Sequence, residues 1–217
     1  MDIVDFLHLV APGKEEELRE HLERKAIGQD GAVREGWMWL ALGDALYSGN
    51  YYDRARVCYR IAYEDTADGM DEARARAIAG IGNTLLMEMD YLGARDAYLD
   101  AVALAREENL NVVLAEILIS LADVERGLGQ LADAEQSSRL ALTLNLRQGR
   151  AAGLQRATVG LSTLSIYLDS SGELELARSL LNWASSQLME ASADLDTASA
   201  AENLAAARRQ LTNSKRE

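Results

Sequence analysis

"WLALGDALYSGNYYDRARVCYRIA", residues 39–62, sets Trp39, Leu42 and Gly43 before a Ser-Gly-Asn turn and Ala55, Tyr59 and Ala62 after it. Side chains three and four apart share a helix face, so each trio forms one stripe and the stretch predicts two helices joined by a tight turn. The spacing returns three times. "IAGIGNTLLMEMDYLGARDAYLDA" (78–101) carries Ile78, Ile81, Gly82, Ala94, Tyr98 and Ala101. "LISLADVERGLGQLADAEQSSRLA" (118–141) carries Leu118, Leu121, Ala122, Ala134, Ser138 and Ala141. "LSTLSIYLDSSGELELARSLLNWA" (161–184) carries Leu161, Leu164, Ser165, Ala177, Leu181 and Ala184. The small residue falls at 43, 82, 122 and 165, giving periods of 39, 40 and 43 residues.

Composition agrees with a helical array. Hydrophobic residues make up 48% of the 217 and there is a single proline, Pro12, near the start. Much of the apolar content is Ala and Leu, which with Glu and Arg are strong helix formers. A formal charge of −13 argues against nucleic-acid binding, which needs a basic footprint, and favours a neutral or basic partner. The lone Cys58 excludes an intramolecular disulfide and makes a reducing compartment the default. "MDIVDFLHLV" carries two aspartates where a signal peptide has positive charge, and no apolar run reaches the ~18 residues of a membrane span. A cytoplasmic location without membrane insertion is the expectation.

The repeated pattern resembles the tetratricopeptide repeat, whose signature is W-x2-L-G-x2-Y…A-x3-F; "WLALG" and "ARVCY" match it closely. Three features depart from that signature. The closing proline is absent from all four copies, the periods exceed the usual length, and the inner Tyr is replaced by Leu46, Leu85, Glu125 and Leu168. The resemblance implies an all-α, right-handed superhelical solenoid of antiparallel helix hairpins, one domain over 1–217. Within it, 1–31 is expected to form N-terminal capping helices, 32–193 four repeats, 194–212 a C-terminal capping helix and 213–217 a disordered tail. Residues 2–10 and 14–27 read as two short helices split by Ala11-Pro12-Gly13, the second with Leu18, Leu22 and Ala26 on one face and "GQDG" (28–31) ending it. Asp196 is placed as the N-cap of the last helix, with Arg208 and Arg209 near its C-terminus.

Catalytic chemistry finds no constellation. His8 and His21 are the only histidines, and neither belongs to a cluster with metal-ligand spacing. Cys58 reads as a buried small hydrophobe. "GIGNT" (80–84) lies inside a helical run and lacks phosphate-loop spacing, while Glu15-Glu16-Glu17 and Glu107-Glu108 read as solvated faces. No enzyme activity, metal or cofactor is expected.

Stacked repeats of the kind implied line a concave face with their first helices. The residues six and three before each small residue, and one and four after it, keep to one helix side. They are Trp37, Leu40, Asp44 and Tyr47; Arg76, Ala79, Asn83 and Leu86, with Met87 beside them; Glu116, Ile119, Asp123 and Arg126; and Val159, Ser162, Ile166 and Asp169. The candidate partner-binding set is Trp37, Leu40, Asp44, Tyr47, Arg76, Asn83, Leu86, Met87, Glu116, Asp123 and Arg126. Asn83, with one acceptor and two donors, is best suited to grip a peptide bond. A clamp for acidic chaperone tails is excluded, because only Asn83 fits it and Asp44 and Asp123 would repel an acidic tail. The expected function is non-catalytic binding of an extended neutral or basic protein or peptide segment, as adaptor or regulator. The alternative is self-assembly, as a homodimer, through the end helices, aided by the Ala-rich segment 197–207. Trp39, in the signature position, is expected between the helices of its hairpin. Trp37 faces either the concave side or the 14–27 helix.

Overall fold

In the computed structural model, residues 15–27, 34–64, 69–191 and 195–213 are described. The 2–10 helix with His8, the Ala11-Pro12-Gly13 break, the 28–31 turn and residues 214–217 lie outside them. The described residues form ten α-helices: α1 Glu15–Ala26, α2 Glu35–Ser48, α3 Tyr52–Glu64, α4 Asp71–Met87, α5 Tyr91–Glu107, α6 Asn111–Gly127, α7 Leu131–Arg147, α8 Ala151–Ser170, α9 Leu174–Met189 and α10 Ala198–Asn213. The four repeats are therefore the hairpins α2–α3, α4–α5, α6–α7 and α8–α9. The last helix starts four residues later than expected and takes in Asn213, which the sequence reading had assigned to the tail. Asp196 still serves its start, accepting the Ala198 N–H at 3.1 Å.

The turns inside the hairpins share one backbone device. The Tyr51, Asp90, Gln130 and Glu173 N–H groups bond back to the carbonyls of Leu46, Leu85, Glu125 and Leu168 at 2.8–3.0 Å, satisfying helix-end acceptors through a residue in the left-handed region. That residue is Asn50, Met89, Gly129 and Gly172, with φ of 65°, 63°, 76° and 88°. Asparagine and glycine tolerate this conformation; methionine meets a cost of about 1–2 kcal/mol.

The chain divides into two compact units, Met1–Glu108 and Asn109–Glu217. In the first, Trp39, Leu42, Leu46, Cys58, Tyr59, Ala62, Met70 and Ala77 form a buried core joined by Leu22 of α1. In the second, leucines of α8 and α9 meet Ala200, Leu204, Ala207 and Leu211 of α10. Their 4-3-4 spacing puts the four on one α10 face, each no more than 2% exposed, and each leucine contributes about 1.5–3 kcal/mol by leaving water.

The small residues of the repeat are explained by tyrosine rings. A Cβ added at Gly43 would stand 2.6 Å from Tyr59 Cε1, and one at Gly80, on the next inner helix, 2.7 Å from the same atom. The Tyr59 ring is thus wedged between α2 and α4 with no room for a methyl group on either side. Tyr98 packs in the same way on Gly82, where a Cβ would come within 2.9 Å. In the third and fourth hairpins the aromatic position holds Ser138 and Leu181, and the small position holds Ala122 and Ser165. Where the ring is gone, glycine is no longer required.

Candidate functional site

The inner helix α2 carries the first group of candidates. Trp39 is 2% exposed, and its Nε1 donates to Glu35 at 3.2 Å. Trp37 is half-buried and packs on the core that contains Leu22. Leu40 departs from the expected position on the concave face. At 4% exposed it belongs to the core, because neighbouring elements cover the side of α2 that it occupies. Asp44 is exposed and accepts the Tyr59 hydroxyl at 2.9 Å; burial, and then the Asp44 charge and hydrogen bond, raise the Tyr59 pKa. Tyr47 stacks at 58° on Tyr52, ring centres 5.5 Å apart, and burial followed by Tyr52 raises its pKa.

On α4, the next inner helix, Asn83 takes the place equivalent to Asp44. Its Oδ1 accepts the Tyr98 hydroxyl at 2.5 Å, so one amide oxygen is engaged by the outer helix of the same hairpin. Arg76 donates to Glu72 at 3.0 Å. Leu86 is half-buried and Met87 is exposed.

In the second unit the candidates on α6 are tied into ion pairs. Glu116 accepts from Arg150 at 3.0 Å, both side chains partly covered, and Asp123 pairs with Arg126 at 3.3 Å. Glu125, where the repeat signature has an inner tyrosine, is 3% exposed.

The helix-offset rule passes over one surface of the first unit. Tyr51, Met89, Tyr91 and Leu92 are exposed around the α2–α3 and α4–α5 turns. Turn positions are expected to be polar, and the signal that could have found this surface is the apolar interruption "MEMDYL" (87–92).

Cys58 and His21, the other reactive groups singled out in the sequence, differ in their surroundings. Cys58 is fully buried, and burial pushes its thiol up to about 12, away from the thiolate that a nucleophile needs. His21 is exposed on α1. Among the described residues no three or more His, Cys, Asp or Glu side chains group closely enough to hold a metal ion, and no helix is long and apolar enough to cross a membrane.

Repeated antiparallel hairpins and ring-on-glycine contacts define an all-α helical-repeat fold of the tetratricopeptide type. Solved structures share it. The apo form of RapI superposes with a TM-score of 0.62 at 13% identity, over 92% of this chain and 60% of that one. The protein described here thus spans three fifths of the RapI chain. BtubC from P. vanneervenii gives a TM-score of 0.61 at 15% identity, over 98% of this chain and 91% of its own. At such identities the likeness is one of fold. No family model matches the chain, and no curated protein matches it in sequence.

Proposed function

We propose that the protein is a non-catalytic protein-binding module, an adaptor or regulator whose inner helices hold an extended neutral or basic segment of a partner. The observation that carries this reading is the Tyr98–Asn83 hydrogen bond at 2.5 Å. An amide held in one orientation before a ligand arrives loses little entropy on binding. Its N–H donors suit a peptide carbonyl, the main-chain group that every extended segment offers. Met87 and Leu86 add adaptable apolar contact beside it. Asp44, on the same unit as Asn83, disfavours an acidic segment there, since like charges across an interface repel. Arg76, Glu116 and Arg126 engage a partner only by exchanging their present ion pairs, so their role is secondary to that of Asn83.

The test is a pull-down from the source lysate with tagged wild type, Asn83→Ala and Asn83→Ala/Asp123→Ala. Specific partners should be lost or strongly reduced with both variants while their thermal midpoints stay near wild type. Undiminished capture by a folded double variant would refute the assignment.

A further inference from the structure

Two of the six methionines stand where the fold asks for none. Met87 ends α4, and the same place in the other three hairpins holds Ser48, Gly127 and Ser170. Met89, two residues on, answers to Asn50, Gly129 and Gly172. It has φ 63°, and every other described residue with φ in this region is asparagine or glycine. Packing does not hold either side chain, since Met87 is 48% exposed and Met89 78%. Turn geometry thus disfavours methionine at 89, and burial does not favour it at either place. Leucine would display a similar apolar area; methionine adds a sulfur that an oxidant can reach.

The other described methionines give the contrast. Met38 and Met70, 7% and 0% exposed, lie in the core of the first unit. Met189, at the end of α9 in the second unit, is 87% exposed. An oxidant in solution therefore meets Met87, Met89 and Met189 without opening the core. Of these, Met87 lies one helical turn beyond Asn83 on the same face of α4, next to half-buried Leu86.

We infer that Met87 and Met89 are an oxidation site that regulates the Asn83 face. This inference rests on the reading of that face as partner-binding. Hydrogen peroxide is the oxidant: the thioether sulfur attacks one peroxide oxygen, the O–O bond breaks and an S–O bond forms. The other oxygen leaves as water, carrying both hydrogens, so sulfur gives up two electrons and the peroxide takes them. The sulfoxide is polar, and an apolar partner side chain loses its contact beside Asn83. The core keeps its packing, and methionine sulfoxide reductases restore the thioether, so the change is reversible.

The test is peroxide titration of the whole chain, read by peptide mass mapping, thermal unfolding and pull-down from the source lysate. Met87 and Met89 should oxidise roughly tenfold faster than Met38 and Met70, with the thermal midpoint unchanged. Partners whose capture depends on Asn83 should be captured about fivefold less after oxidation and fully again after reductase treatment. Met87→Leu/Met89→Leu should capture them like wild type, before and after peroxide. Met189→Leu should leave the peroxide response of wild type in place. The inference is overturned if the core methionines oxidise as fast or if the oxidised protein captures those partners undiminished. It is equally overturned if the double leucine variant captures poorly before peroxide, or loses its partners to peroxide as wild type does. Capture by the unoxidised protein that ignores Asn83→Ala refutes the reading of the face itself, and this inference falls with it.

Discussion

Gly43→Ala should destabilise the protein even though alanine is the better helix former. Propensity alone favours the change by about 0.8–1 kcal/mol. Against it, the new methyl group would stand 2.6 Å from Tyr59 Cε1 and 2.7 Å from Cδ1. The ring has no retreat, because its other side packs on Gly80 of α4. Forcing a methyl group into such a contact costs about 1–3 kcal/mol. A displaced ring also gives up its 2.9 Å bond to Asp44, a further ~0.5–1.5 kcal/mol. The net loss is about 0.5–3.5 kcal/mol once propensity is subtracted. Urea unfolding followed by tryptophan fluorescence measures it as a lower midpoint at unchanged slope. Gly160→Ala on α8 is the control: nothing lies within 4 Å of the new Cβ, so it should gain about 0.5–1 kcal/mol. Gly43→Ala with Tyr59→Leu imitates the pairing of Ser165 and Leu181 in the fourth hairpin and should show favourable coupling of roughly 1 kcal/mol or more. Gly43→Ala as stable as wild type, or strict additivity in the double variant, would refute the ring-on-glycine account.

The two tryptophans of α2 should separate cleanly in the same assay. Trp39→Ala is expected to cost about 3–5 kcal/mol as a core truncation, and half-buried Trp37→Ala about 1–2 kcal/mol. Gly153→Ala should be among the more damaging alanine substitutions, since its Cβ would overlap Asn145 Oδ1 and Asn145 is fully buried with its amide bonded to the Ala141 carbonyl at 2.8 Å; loss of about 1–3 kcal/mol in urea would bear this out. Cys58 should resist a thiol reagent at pH 8 in the native state and react at once in urea. Its thiol is raised from 9.0 to about 12 by burial. The stability linked to it is therefore complete below pH 9 and falls as pH climbs from there toward 12, because only the unfolded chain releases the proton readily. Rapid native labelling would contradict the burial.

Much of the architecture was legible because helix formation and hairpin spacing are local. The stripes at 39–62, 78–101, 118–141 and 161–184 became four hairpins, Leu22 joins the core of the first unit, and Asp196 accepts the Ala198 N–H. The candidate surface was only partly legible. An offset from the small residue says which side of its own helix a residue occupies, and it located Asp44 and Asn83 at equivalent places. It does not say what arrives from elsewhere to cover that side. Leu40 followed the rule and still went into the core. The apolar turn at Met89 escaped because turn chemistry leads one to expect glycine, asparagine and other polar residues there.

The sequence by itself determined the helices, their pairing into hairpins and the small residues at their crossings, since a 3.6-residue period and four aligned copies constrain backbone and stripe together. Tertiary structure alone decided the state of the side chains between those stripes. Tyr98 reaches back 15 residues to fix Asn83, Arg150 reaches 34 residues to take Glu116, and the Tyr59 ring needs a glycine from each of two helices. The physical reason is that exposure, hydrogen bonding and ion pairing are properties of neighbours in space, and packed hairpins bring those neighbours from 15 to 34 residues away in sequence.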